Sequence, residues 1–547
     1  MKNHFRTFLF SVGTLAILLA ASPVTAGPLS QEASCLLKTS LAGVKVARVQ
    51  NAQSIRCLLD RTKYDPAEGD GLTAQEADDC LLGGPSSRVP KARSRVSSIA
   101  ATKCSPNPSF GFSTADNIGR AAAEQSLGLA QDLFGNNVGS AVVPKANDSK
   151  LAGCQIAAAK GTNKIFAKQL QEFSNCFKDG LKSNMVNDAA AVNGCLDEVA
   201  GDPQGKIAKS ISGLGKILAR KCDLPGMADP LPGVCADAGD QAACLGQRTA
   251  CRACLQLTDA HDLSMRDCDL FDDGAANQSC IECNGAASLC DRRFDEVVFP
   301  TSHNAMSNNT EGWLAPNNET TTVTQLGSGI RSLMLDAWYW GGDAVLCHGG
   351  EIVPGLGCDI TGQKPLDTGL SELTTYLDNH PHEVLSIIFE SYISEADMLA
   401  DFTSSGLIAH VYAHNSGDPW PTLRELITAD TRLVVFTDDS NASLDWHHYV
   451  WQHAWETHYS FTTPESLSCD PNRGSTDNPL HILNHFLTAP LPSTALATSV
   501  NFNPLFRDRV LTCQNTSGAL PNFITVDFEN IGDVYKVVRE RNRLPEL

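Results

Sequence analysis

Basic residues are scarce in the second half of this 547-residue chain. From Asp291 onward 13 lysines and arginines face 33 aspartates and glutamates, while residues 1–290 carry 29 of each. The shortage excludes the extended cationic footprint of a nucleic-acid binder. It also removes any long-range pull toward anionic lipid surfaces. Long apolar runs are lacking too, apart from Phe8–Ala21. That run follows a basic start (Met1-Lys2 to Arg6) and precedes Val24-Thr25-Ala26, the pattern of a secretory signal cut near Ala26. No later stretch is long and apolar enough to cross a bilayer, so the mature chain is expected to be soluble and secreted, or exported to a periplasm. Aromatic residues are few between Gly27 and Cys222, where Ala, Leu, Lys and Gln dominate and a helical region is expected.

Cysteine is plentiful. Twenty cysteines in an exported chain point to disulfides rather than to metal or redox chemistry. Cys35 and Cys57 are 22 residues apart, as are Cys154 and Cys176; Cys80 and Cys104 answer to Cys195 and Cys222. Lys45 meets Lys164 at the same 119-residue offset, so the chain is read as repeating. The expected organisation is a signal peptide at 1–26, helical four-cysteine modules at 27–145 and 146–225, a cysteine-rich connector at 226–290, and a barrel at 291–547. The connector carries two C-x-x-C pairs, Cys251/Cys254 and Cys280/Cys283. Inside a cell these would read as a zinc ribbon; in an exported chain they read as bridges. The modules fit a structural or spacer role, with ligand binding as the alternative.

From Asp291 apolar runs alternate with helical patterns, which fits an α/β fold, a (β/α) TIM-type barrel. Strands are expected at Glu296–Pro300, Ile330–Trp338, Asp343–Cys347, Glu383–Glu390, Arg432–Asp438, Leu480–Phe486 and Asn522–Phe528. Helices are expected at Leu370–Asn379, Glu395–Ser404, Thr422–Ala429 and Val534–Asn542. Polar residues recur where these strands end: His303, Asp336, His348, Glu390, Asp438 and Asp527. Strand C-termini are where barrel active sites form. Two histidines there suit a general base working opposite a general acid, because an unperturbed imidazole titrates near neutrality. The four cysteines of this half are expected to pair locally, Cys347 with Cys358 and Cys469 with Cys513.

The half resembles the phosphatidylinositol-specific phospholipase C X-domain family. The resemblance is carried by Ser302-His303-Asn304, Gly329-Ile330-Arg331 through Asp336, Leu346-Cys347-His348, Val384 through Glu390, Trp420-Pro421-Thr422-Leu423, Arg432 through Asp438 and Asn522 through Phe528. It implies a somewhat irregular barrel that cleaves a phosphodiester through an inositol cyclic phosphate. By position His303 resembles the base-side histidine, His348 the acid-side one, and Asp527 the aspartate that orients the first. Arg331 matches a recurrent arginine that helps hold phosphate, with a structural ion pair as the alternative. The calcium-dependent branch implies Asn304, Asp336 and Glu390 as ligands of Ca2+, in a weakened site because Met334 stands where a fourth acid belongs. The implied partner is a phospholipid or glycolipid at a membrane surface. Competing readings keep the barrel but change the substrate to glycerophosphodiesters or sphingolipid head groups, or make it an inactive headgroup-binding or adhesion module.

Overall fold

The computed structural model describes residues 29–545, apart from 84–86, 226, 228, 264–265 and 349–356. The expected signal peptide therefore lies outside the described residues. Among those described, no helix is long and apolar enough to cross a membrane.

The cysteine repeat is a structural repeat. Each copy is a long helix followed by two shorter ones: Gln31–Arg61, Ala74–Leu82 and Val89–Lys103, then Ser149–Ser183, Ala189–Gly201 and Lys206–Lys221. In each, an outer bridge encloses an inner one. Cys35–Cys104 surrounds Cys57–Cys80, and Cys154–Cys222 surrounds Cys176–Cys195. The two copies share a single apolar core, which extends to Ala287 and includes Phe166, Phe173 and Phe177. At its centre Arg252 and Asp132 form a buried ion pair at 2.8 Å. Gly128 makes room for it: a β-carbon there would lie 2.4 Å from the Arg252 guanidinium carbon. The connector spreads its C-x-x-C cysteines over separate bridges, Cys251–Cys280, Cys254–Cys268 and Cys283–Cys290, and no cysteine of the chain is free.

Among the described residues the second half is built on ten strands. They are β1 Phe299–Ser302, β2 Ser332–Trp340, β3 Asp343–Leu346, β4 Lys364–Pro365, β5 Leu385–Ser391, β6 Leu433–Thr437, β7 His447–Tyr449, β8 Ala454–Glu456, β9 Leu480–Asn484 and β10 Phe523–Val526. Eight of them run parallel in the order β7-β6-β5-β2-β1-β10-β9-β8. Among the described residues no ladder closes β7 onto β8, which are joined by the short 3-10 turn Val450–Gln452, so the wall is a parallel half-barrel. The expected strand at Asp343–Cys347 forms, but as β3 it folds back antiparallel on β2. The bridges Cys347–Cys358 and Cys469–Cys513 are both present.

Side chains alternate along each strand, and the inward set forms a packed layer. Phe299, Ile388, Val434, Phe436, Ile482 and Phe523 belong to one core cluster, with Met334 against it. The same alternation carried two to four residues further puts His303, Asp336, Glu390, Asp438, Asn484 and Asp527 at the open end. At the closed end the helical half docks through Arg543–Asp78 and Arg539–Glu124, both 2.7 Å. Val384 there also exchanges backbone bonds with the Asn284 carboxamide.

Candidate active site

The barrel mouth holds a cavity of about 360 Å³ lined by His303, Asn304, Asp336, Glu390, Asp438 and Phe486, among others. His303 follows β1, and two contacts fix its ring. Nδ1 lies 2.8 Å from the Asp527 carboxylate. Phe486 stacks on it, with centroids 3.8 Å apart and planes 12° from parallel. Asn317 donates to the same Asp527 oxygen at 2.9 Å, holding the carboxylate in turn. A carboxylate on Nδ1 fixes the tautomer and leaves Nε2 as the nitrogen free to accept a proton. Asn318 is fully buried, and its amide donates to the His303 carbonyl at 2.9 Å.

Asn304 adopts φ +43°, a left-handed conformation that asparagine tolerates better than most residues. Its side-chain nitrogen lies 3.0 Å from Nε2 of His348. The β2–β3 hairpin overhangs the mouth, so β3 descends and delivers His348 beside Asp336, whose carbonyl accepts the Cys347 N–H at 3.1 Å. Burial, and secondarily His303, push the His348 imidazole down to about 4.

Three carboxylates besides Glu456 line the same cavity, Asp336, Glu390 and Asp438. Asp336 and Glu390 are direct neighbours across β2 and β5. Burial, then Glu390 and Asp438, hold Asp336 well above the usual carboxylate range. Burial also raises Asp438, although it accepts the Ser391 N–H at 3.0 Å. Glu390 accepts the Tyr392 hydroxyl. A concentration of oxygen donors with uncompensated charge fits a hard cation in type. Among the described residues, however, no three acidic or histidine side chains already converge on one point. Met334 shares this cavity and brings only a thioether.

Arg331 is not brought to the site. It precedes β2, at the closed end of the strand from Asp336, where Nη1 donates to the Leu326 and Ile330 carbonyls and the guanidinium pairs with Glu383. The phosphate role implied for it gives way to the structural ion pair. The cavity holds a different arginine. Arg473 follows β8, donates from Nε to Glu456 at 2.6 Å, and lies over the rings of Trp451 and Tyr459 at 4.5 and 5.0 Å. Asn472 and Asn484 also donate to Glu456, each at 2.9 Å. Neither Arg473 nor Glu456 was anticipated: β8 spans three residues, and Arg473 sits in irregular chain. Phe486 and Asn317 carry no signal of their own, whereas the strand-end pattern did include Asp438.

A parallel strand wall with two histidines, an orienting aspartate and facing carboxylates at its C-terminal end defines a phospholipase-C-like barrel. Comparison with known proteins agrees. The PI-PLC X domain model (PI-PLC X 1) matches residues 289–542. The "PI-PLC X domain-containing protein 1" of Arthroderma benhamiae is 31% identical over 287 residues, which is 48% of this chain and 90% of that protein. An "Uncharacterized secreted protein" of the same fungus is 29% identical over 282 residues, 46% of this chain and 61% of its own length. A PI-PLC X domain-containing protein of Arabidopsis thaliana is 28% identical over 277 residues, 46% and 62%. The chain belongs to the PI-PLC X domain-containing family. It spans less than two thirds of the length of the second and third of these relatives.

Proposed function

We propose that the chain is an exported phosphoric diester hydrolase of the phospholipase C type, acting on a phospholipid or glycolipid head group. The observation that carries this reading is one strand-end cluster in which Asp527 holds His303 and the next residue, Asn304, contacts His348. In the reaction, Nε2 of His303 takes the proton of a head-group hydroxyl as its oxygen attacks the adjacent phosphorus. The bond from phosphorus to the lipid oxygen breaks, and His348 gives that oxygen a proton. The products are a cyclic phosphate and the lipid alcohol, and the imidazoles exchange protonation states. Arg473, fixed by Glu456 and two aromatic faces, supplies donors for the head group. Asn304, Asp336 and Glu390 are the residues that would hold calcium, with Asp438 beside them. When bound, the ion would offset negative charge developing on the phosphoryl oxygens. Export is supported by the leader pattern, the ten bridges, and a relative that is itself named a secreted protein.

His303→Ala and His348→Ala are each expected to lower turnover on phosphatidylinositol by roughly two to four orders of magnitude, the usual scale for a general acid or base. The double variant should be little worse than either, because the two act as a unit. Near-wild-type turnover in a folded single variant contradicts the reading.

A further inference from the structure

The first helical copy holds a cleft of about 620 Å³, apart from the barrel mouth. It is lined by the helix Gln31–Arg61, by Leu72 and the helix Ala74–Leu82, and by Arg88. Val49, Ala52 and Leu72 give it an apolar wall beside the Cys57–Cys80 bridge. Its size is that of a small-ligand site.

The second copy has the same place strapped by charge. At the 119-residue offset Lys168 and Glu172 stand where the first copy has Val49 and Gln53, and Lys206 answers to Arg88 as Cys222 answers to Cys104. Glu172 pairs with Lys168 at 3.4 Å and with Lys206 at 2.9 Å, which ties the long helix to the third one. In the first copy this strap is gone. Gln53 donates to the Cys80 carbonyl and accepts the Ser87 hydroxyl, each at 2.7 Å. Arg88 therefore lacks the carboxylate its counterpart holds, and apolar Val49 replaces the other lysine.

Charge narrows the occupant. Lys45, Arg48 and Arg88 line the cleft, and among the described residues none of them has a carboxylate within ion-pair distance. The acids of the cleft already hold donors of their own. Glu76 accepts the Thr73 N–H at 2.8 Å and the Thr73 hydroxyl at 2.9 Å, and Asp79 accepts the Gln75 amide at 2.9 Å. Asp60 takes Lys63 at 2.8 Å and Arg56 at 3.7 Å. Unpaired cations with long aliphatic stems beside an apolar wall complement an acidic head on an apolar body.

We propose that this cleft binds a single-chain amphiphile with an acidic head group, the head among Lys45, Arg48 and Arg88 and the chain along Val49, Ala52 and Leu72. Calorimetric titration of the full chain with dodecanoate and with dodecyl phosphate, each below its micelle-forming concentration, tests this without any need for catalytic activity. One molecule is expected to bind per chain. Hexanoate, with the same head and half the chain, should bind at least about a hundredfold more weakly, because each buried methylene contributes to affinity. Dodecyltrimethylammonium, with the same chain and the opposite charge, should bind at least about tenfold more weakly than dodecanoate. Arg48→Gln/Arg88→Gln should weaken dodecanoate about tenfold or more. Val49→Lys/Gln53→Glu, which rebuilds the strap of the second copy, should weaken it as much with a nearly unchanged melting temperature, since an exposed ion pair contributes little to stability. Binding of dodecanoate alone or of dodecyl phosphate alone upholds the cleft and names the head group. Failure of both to bind overturns the proposal. So does undiminished binding by either double variant, or equal binding of dodecyltrimethylammonium. Competition by heparin at lower concentration than dodecanoate also overturns it, by assigning the cations to an anionic polymer.

Discussion

The side-chain nitrogen of Asn304 lies 3.0 Å from Nε2 of His348, so the residue beside one histidine is the contact of the other. With the amide N–H pointing at Nε2, His348 is neutral and protonated on Nδ1, which agrees with its depression to about 4 by burial and by His303. Its role, however, is to give up a proton. A donor is competent only below its pKa, so kcat/KM, which reports the free enzyme, should fall about tenfold per pH unit above that value. The descending limb is thus expected to lie below the ~6.5 of an ordinary imidazole. Asn304→Ala removes the donor that favours the neutral ring and should move the limb upward. A wild-type limb at or above the ordinary value, unmoved by the substitution, contradicts this placement.

Asp527 acts through His303, not on substrate. Asp527→Asn keeps the size of the side chain but presents an N–H or a weaker acceptor to Nδ1, so the ring loses its fixed tautomer. A loss of about a hundredfold or more in kcat is expected, as in other carboxylate-oriented histidines. KM should change little, because the cavity wall is intact. Asn317→Ala, which only frees the carboxylate, should cost much less. Equal losses in the two variants, or a loss confined to KM, would show that Asp527 does not orient the ring.

Much of this site was legible because β-strand alternation is simple. Phe299 and His303 share a parity, as do Phe523 and Asp527, and Ile388 and Glu390. An apolar strand that ends in a polar residue of the inward parity therefore points that residue at the mouth. The bounds were less legible. The first strand was expected from Glu296, but Phe294–Glu296 is a 3-10 turn and pairing starts at Phe299. β2 runs to Trp340 because β3 folds back on its last four residues, a partnership that one sequence does not announce. β7 and β8 are three residues each, too short for any period to show, and the helices Thr322–Ser328, Thr494–Val500 and Leu505–Ser517 lie outside the expected set. For Arg331 the resemblance speaks only of sequence position and leaves phosphate holding and an ion pair both open, whereas its side chain reaches Glu383 at the closed end. Arg473 was invisible because its place depends on the turn that carries it past Trp451.

The carboxylates that line the cavity make the metal question answerable. Asp336 is raised by burial and by two neighbouring acids, so bound calcium should lower its pKa and convert repulsion into attraction. Activity is expected to rise with calcium but to saturate only at high concentration, because Met334 contributes no oxygen and ligand charge tunes affinity. Met334→Glu should reduce the calcium concentration for half-stimulation, and Asp336→Asn should raise it. Full activity in excess chelator, unchanged by Asp336→Asn, would show these acids to be structural.

Product analysis on phosphatidylinositol, followed by phosphorus NMR with and without calcium, tests the central claim most directly. The claim is that His303 and His348 drive attack by a head-group hydroxyl on its own phosphodiester. Wild type is expected to release diacylglycerol and a cyclic inositol phosphate as the first water-soluble product, and His303→Ala is expected to release neither at a comparable rate. Phosphatidic acid with free inositol, an acyclic phosphate appearing first, or no cleavage under any of these conditions would contradict it.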